Sequence, residues 1–397
     1  MAEPPPRFRV RVLNAVSAAG LARLPRPLYR VGVDEAEPDA ILLRSADLHE
    51  VPIPASVKAI GRAGAGTNNV PVEAMSRRGV VVFNAPGANA NAVKELVLAG
   101  MLLSARHLPD ALRFVDALDR RAPDLDRRVE AGKKPFSGIE LAGRTLGVIG
   151  LGRVGCLVAD AAIRLGMQVI GYDPHITIDA AWSLPSQVRR AQGLGELVRG
   201  SDFVTLHVPL MPATRGLIGA ELLAAARPGA VVLNFSRDAV VDEPAVLAAL
   251  EAGALRHYVS DFPTAGLLGH PRSIALPHLG ASTGEAEENC AMMVADQLRD
   301  FLEHGNVRNS VNFPDASMPR ESPHRVAIAN ANVPNMLGQI STAMAQVGLN
   351  IHNMLNKSRG ETAYTLVDVD SAVPADAVAR IAAIPGVLSV RDLSSAG

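Results

Sequence analysis

No stretch of this chain restricts its fold more than Thr145-Leu-Gly-Val-Ile-Gly150-Leu-Gly152-Arg-Val-Gly155, an apolar strand that turns through spaced glycines into a helix. Such a turn is a phosphate cradle. Gly150 permits a tight turn, Gly152 lets backbone N–H groups approach a pyrophosphate, and Gly155 lets the helix opened by Arg153 and Val154 pack on the strand. A second apolar strand, Gln168 to Tyr172, ends at Asp173, where a carboxylate can accept hydrogen bonds from ribose hydroxyls. Strand, glycines, helix, strand and acid together form a dinucleotide fingerprint. Asp173 would repel the extra phosphate of NADP, and no arginine follows in Pro174-His-Ile-Thr, so the pattern predicts NAD.

From Leu141 onward, strands predicted at 145–150, 168–172, 203–208, 230–234, 257–261 and 273–277 alternate with helices, which is the pattern of a doubly wound parallel sheet. The preceding part alternates short apolar strands with helices as a separate α/β unit. Its last helix is expected from Asn91 to Arg106. A third unit follows the Pro-containing stretch 306–322, and its periodicity predicts a βαββαβ module. The expected division is a discontinuous substrate-binding domain (1–107 and 285–315) of flavodoxin-like type, an inserted Rossmann domain (108–284) and a small C-terminal module (323–397). That module is short and poor in aromatics, so pairing with a second copy is expected to help bury its sheet.

With 397 residues, 39 Lys and Arg against 40 Asp and Glu, the chain has no global basic field for nucleic acid. A small anionic substrate therefore needs local arginines. Two cysteines, Cys156 and Cys290, exclude a disulfide framework and a cysteine metal site, and no metal is expected. The start Met1-Ala-Glu-Pro-Pro-Pro lacks the apolar core of a leader, and no apolar run approaches the roughly 20 residues of a membrane span. These features predict a cytoplasmic protein without a membrane partner.

A dinucleotide on such a sheet presents its reacting ring at the carboxyl ends of the later strands. Two candidates stand there, Arg237 in Leu-Asn-Phe-Ser-Arg-Asp and His278 in Leu-Pro-His-Leu-Gly-Ala-Ser-Thr. Taking a proton from an alcohol as hydride leaves calls for a base of near-neutral pKa, which histidine supplies. Holding an α-carboxylate calls for the permanent, bidentate fork of arginine. His207, before Val208 and Pro209, competes for the base role, with packing or a cofactor contact as its other reading. The cofactor is further expected to meet Phe235, Ser236, Arg237, Asp261, His278, Gly280 and Ala281.

The mid-chain glycine motif, the Asn-Phe-Ser-Arg237-Asp-Ala-Val-Val-Asp segment and Pro277-His-Leu-Gly-Ala-Ser-Thr283 resemble the D-isomer-specific 2-hydroxyacid dehydrogenases. Ile60-Gly-Arg-Ala-Gly-Ala-Gly66 and Arg77-Arg-Gly-Val-Val-Val-Phe-Asn-Ala-Pro86 resemble its branch that oxidises D-3-phosphoglycerate on the way to serine. The resemblance implies a phosphorylated 2-hydroxy acid as substrate, with Arg62, Ala63 and Gly64 at its anionic end, Arg77 as a second contact for the phosphate, and Lys94 adding to the field or pairing with Glu95. It further implies an ACT-like regulatory module in which Asn332 and Asn350 take L-serine across a subunit interface or simply terminate strands. A homodimer or homotetramer is implied as well. Asn335 stands where the family usually has glycine.

One departure stands out. The family normally places a glutamate beyond an Asp-Val-Phe segment to hydrogen-bond the histidine, whereas Val259-Ser-Asp261-Phe-Pro-Thr-Ala265-Gly266 leaves Asp261 as the only acid between Tyr258 and His278. Either Asp261 orients His278, or it stays on the cofactor and Arg237 and His278 suffice. The second arrangement is the expectation here. Two competing readings remain: a dehydrogenase for another D-2-hydroxy acid such as 2-hydroxyglutarate, and an NAD-sensing partner protein without turnover.

Overall fold

The computed structural model describes residues 6–394, so most of the N-terminal stretch read above for a leader lies outside the described residues. The chain forms two compact units, one from the residues up to Asn89 together with those from Gly284 onward, the other Ala90–Thr283. Among the described residues no helix is long and apolar enough to cross a membrane.

In the first unit, β1 (Phe8–Leu13), β2 (Tyr29–Gly32), β3 (Ala40–Leu43), β4 (Ala59–Arg62) and β5 (Val81–Phe83) make a parallel sheet in the order β2-β1-β3-β4-β5. That 2-1-3-4-5 order is flavodoxin-like. β3 is buried at all of its residues because helices cover both faces of the sheet, as parallel sheets require. One of those helices, Gly284–His304, returns from far along the chain to pack Ala291, Val294, Ala295 and Leu298 into the core beneath the sheet.

The second unit holds seven parallel strands: β6 (Thr145–Ile149), β7 (Gln168–Tyr172), β8 (Arg189–Arg190), β9 (Phe203–Leu206), β10 (Ala230–Asn234), β11 (Leu255–Ser260) and β12 (Ser273–Ala275). Their order, β12-β11-β10-β9-β6-β7-β8, reverses between β6 and β9, and ligands bind at such switch points. Helix Ala90–Ala105 belongs here rather than to the first unit, which moves the boundary expected after residue 107 to Asn89. Packing explains the shift. Val93, Val97, Met101 and Ala105 lie in the Rossmann core, and a Cβ on Gly100 would already stand 3.1 Å from Leu233, Phe235 and Val259. Between this helix and β6 the chain carries the helices Leu108–Asp116 and Leu125–Gly132.

At the C-terminus, β13 (His324–Ala331), β14 (Ile351–Arg359), β15 (Thr362–Val369) and β16 (Val387–Asp392) form an antiparallel sheet in the order β14-β15-β13-β16, with helices Met336–Gln346 and Ala375–Ala382 on one face. The other face packs within the first unit, where Ala327, Ala329, Tyr364, Leu366 and Leu393 share one core with Phe83, Phe301 and Phe313.

A buried charge fastens this junction. Arg325 and Asp368 are both 0% exposed, with Nε and Nη2 of Arg325 donating to Asp368 Oδ1 at 2.6 Å and Oδ2 at 2.8 Å. The remaining N–H donors reach three carbonyls: His304 at 3.1 Å, Met318 at 3.0 Å and Pro319 at 2.8 Å. All the guanidinium donors are thereby used, and the cation sits at the C-terminus of helix Gly284–His304, where the helix dipole favours it.

Candidate functional site

Each glycine of the cradle is required for its own reason. Gly150 adopts φ +91°, and a Cβ there would lie 2.5 Å from the His207 carbonyl oxygen on the neighbouring loop. A Cβ on Gly155 would lie 2.0 Å from the Gly150 carbonyl oxygen, whereas at Gly152 nothing stands within 4 Å. Two positions are closed by the protein and one is open to a ligand. Gly152 caps helix Arg153–Arg164, whose first N–H groups suit a pyrophosphate.

Asp173 is held beside this loop by two backbone donors, Leu151 N–H to Oδ2 at 2.9 Å and His175 N–H to Oδ1 at 2.8 Å. Both oxygens keep lone pairs for a ribose, and the charge disfavours a further phosphate. Cys156, at the start of the helix, is not activated by the dipole. Burial raises its thiol pKa first, and the neighbouring Asp173 charge adds to the shift.

His207 leaves the contest for a catalytic base. Its Nε2 lies 3.0 Å from Thr205 Oγ1, and burial pushes its pKa down to about 3. A base that weak holds no proton near neutral pH.

At the end of β10 the buried Asn234 organises the turn that presents Arg237. Its Oδ1 accepts from Ser236 N–H (3.1 Å) and Oγ (2.8 Å), and its Nδ2 donates to the Arg237 carbonyl at 2.8 Å. Arg237 is left exposed, with Nη1 donating to the Ser236 carbonyl at 2.6 Å. Sequence reasoning missed Asn234, although an amide closing a strand three residues before a turn residue is a recognisable local signal.

His278 is also exposed, and its φ of 22° lies in a region that L-residues rarely adopt. Asp261 enforces that turn. Its carbonyl accepts His278 N–H at 2.8 Å and its Oδ2 accepts Gly280 N–H at 2.9 Å. Burial raises the Asp261 carboxyl pKa, opposed by the Gly280 N–H and by the charge of His278. Asp261 Oδ1 is buried with no hydrogen-bond partner, an acceptor that awaits a donor. Of the two arrangements left open by the sequence, the geometry has Asp261 clamping the backbone of the histidine loop. It makes no hydrogen bond to the imidazole among the described residues.

In the first unit, Arg62 ends β4, and its guanidinium folds over Gly64 so closely that a Cβ there would lie 1.7 Å from Nη1. Ala63 N–H binds the Leu43 carbonyl at 2.7 Å, which pins the loop. Arg77 corrects an expectation. It closes helix Val72–Arg77, which leads into the start of β5, so it stands at the amino end of the sheet while Arg62 stands at the carboxyl end. The fold does not bring the two together. Lys94 belongs to the second unit, where it donates to Asn91 Oδ1 at 2.5 Å and lies 3.8 Å from Glu95.

In the C-terminal module, Asn332 donates to the Gly360 carbonyl at 3.0 Å and lines a cavity of about 250 Å³ with Asn330, Asn335 and Asn356. Asn350 lies outside that lining and donates to Asp370 Oδ2 at 2.5 Å. Asn335 sits at φ +62°, the left-handed conformation that asparagine tolerates.

Residues 112–280 match the D-isomer specific 2-hydroxyacid dehydrogenase, NAD binding domain. The chain is similar to D-3-phosphoglycerate dehydrogenase of Methanocaldococcus jannaschii, 40% identical over 271 residues, covering 67% of this chain and 49% of that protein. It is likewise similar to D-3-phosphoglycerate dehydrogenase of Escherichia coli K12, 33% identical over 346 residues, covering 84% of this chain and 80% of that protein. Against the first relative the chain therefore spans about half the length. Among solved structures it resembles the NAD+-bound 3-phosphoglycerate dehydrogenase of Entamoeba histolytica, with 26% identity and a TM-score of 0.58 over 77% of this chain and 98% of that one.

Proposed function

We propose that this chain, which belongs to the D-isomer-specific 2-hydroxyacid dehydrogenases, oxidises D-3-phosphoglycerate to 3-phosphohydroxypyruvate as a step toward L-serine. Its cofactor is NAD, which when bound supplies the hydride acceptor. The observation that carries the reading is the pairing of an exposed Arg237 with an exposed His278 at the carboxyl ends of strands in the NAD-binding unit.

His278 accepts the hydroxyl proton during oxidation and returns it during reduction. Arg237 grips the α-carboxylate with its planar fork. The buried acceptor of Asp261 suits the carboxamide of a nicotinamide, and Asp173 suits the adenosine ribose. Arg62 receives the anionic end of the substrate. Arg77, at the far end of its sheet, takes no part, and the charge of Lys94 is spent on its own helix.

The C-terminal module completes the reading as an ACT-like unit, with the cavity beside Asn332 as the place for L-serine. The protein works in the cytoplasm as a homodimer or homotetramer.

NADH absorbance with D-3-phosphoglycerate and with 2-hydroxyglutarate tests the reading. Turnover of the phosphorylated acid supports it, whereas turnover of 2-hydroxyglutarate alone, or none with either, refutes it. Gly64→Ala sharpens the test, because the added Cβ displaces only the mobile end of Arg62 and leaves the fold intact. A hydrogen bond to a charged group contributes about 1.5–3 kcal/mol. Gly64→Ala should therefore raise KM for D-3-phosphoglycerate roughly tenfold to a hundredfold, with thermal stability unchanged. An unaltered KM would remove Arg62 from the substrate.

A further inference from the structure

Gly266 lies in the exposed loop that follows Asp261, and the room left by its missing side chain is taken by a carboxylate from another element. A Cβ built on Gly266 would stand 2.3 Å from Glu243 Oε1 and 3.4 Å from Glu243 Cδ. Glu243 is the first residue of helix Glu243–Glu251, which the turn carrying Arg237 feeds directly. It is half-buried, and its carboxylate makes no hydrogen bond or ion pair among the described residues.

His278 has the complementary lack. Its backbone is fixed by Asp261, yet neither ring nitrogen is hydrogen-bonded among the described residues. Phe262 connects the two groups. Its ring lies 4.8 Å from the His278 ring, and it also lines, with Glu243, Tyr258 and Asp238, a cavity of about 120 Å³. An unpaired carboxylate and an unpaired imidazole therefore flank one aromatic side chain.

We propose that Glu243 is the positioning residue of His278, its carboxylate reaching past Phe262, beside Gly266, to accept the N–H of the imidazolium formed when the substrate hydroxyl gives up its proton. The inference rests on the dehydrogenase reading. One ring nitrogen takes the hydroxyl proton, the other keeps its own and donates it to Glu243, and no proton leaves the imidazolium. Attraction between carboxylate and ring grows only as the ring becomes charged, so the contact is worth most in the transition state. The other titratable groups here are Asp261 from the end of β11, which feels the charge of His278, and, lining the cavity, Asp238 and Tyr258, whose pKa is raised by burial first and further by the charges of Glu243 and Asp238. Asp261 already spends Oδ2 on Gly280 N–H and its carbonyl on His278 N–H, and Asp238 is exposed, whereas Glu243 is half-buried against Gly266. Glu243 is the remaining carboxylate of the cavity.

The test is the pH dependence of kcat/KM with the full chain, measured in both directions for the parent, Glu243→Gln, Gly266→Ala and the double variant Glu243→Ala/Gly266→Glu. A nearby carboxylate favours the charged ring, so its loss should move the rise in oxidation and the fall in reduction to lower pH by about one unit. Oxidation at high pH should slow by roughly tenfold. Gly266→Ala should reproduce the shift, since its Cβ evicts the carboxylate, and the double variant should restore the parent profile by returning a carboxylate from the loop side. NADH binding by fluorescence confirms that each variant is folded. A folded Glu243→Gln enzyme whose profile superimposes on the parent, or which is slower with an unmoved midpoint, overturns the proposal. Absence of turnover in the parent instead defeats the dehydrogenase reading, and this inference with it.

Discussion

A His278→Gln enzyme will turn over D-3-phosphoglycerate roughly 10²–10⁴-fold more slowly than the parent, the range by which a positioned general base accelerates proton transfer. NADH affinity and thermal stability should barely change. The imidazole is exposed and makes no hydrogen bond among the described residues, so glutamine removes basicity and little else. The phosphate cradle and Asp173 lie at the ends of β6 and β7, on other strands of the sheet. His207, another histidine at a strand end, is a poor substitute, because burial pushes its pKa down to about 3. Stopped-flow measurement of NADH formation would decide the matter. A loss of less than tenfold would place the proton acceptor elsewhere.

Asp368→Ala should produce the largest loss of stability. Breaking a buried ion pair by removing one partner costs about 3–5 kcal/mol, because the remaining charge stays buried and uncompensated. Here the survivor is Arg325, 0% exposed and still bound to the carbonyls of His304, Met318 and Pro319. Glu321 N–H also loses its acceptor, Asp368 Oδ2 at 3.1 Å. Changing both partners together, as Arg325→Met with Asp368→Leu, should recover part of the loss, since it removes the orphaned charge but leaves three carbonyls without donors. Urea unfolding of the three proteins tests the order. If Asp368→Ala lost less than about 1 kcal/mol, the pair would be no stronger than a surface bridge.

Much of the fold was legible because its strands are buried on both faces and read as unbroken apolar runs, as in Thr145–Ile149 and Ala230–Asn234. Strands without that signature escaped notice. Tyr29–Gly32 carries a solvent-facing arginine among four residues, and Arg189–Arg190 has no apolar residue. Helix Leu108–Asp116 was hidden for another reason: it buries none of its residues, and Leu112 and Val115 remain 62% and 55% exposed. In the site, position at a strand end sufficed to find Arg237 and His278, but nothing in a linear pattern says which end of a sheet a helix returns to, and so Arg77 was misplaced. Arg325 was invisible as a core residue, because a charged side chain opening a strand ordinarily faces water. Glu243 was likewise silent, since its meaning comes from what Gly266 lacks.

The shared core of the first unit bears on how such a chain can change through evolution. A regulatory appendage joined by a tether can be gained, lost or swapped without consequence for its host. This βαββαβ module is not of that kind. Its sheet rests on the aromatic rings of Phe83, Phe301 and Phe313, and those rings have the sheet as their cover. A substitution on either side of that wall alters the packing of both, so the two must drift together. The module is part of the foundation of its unit and cannot be traded as a separate piece.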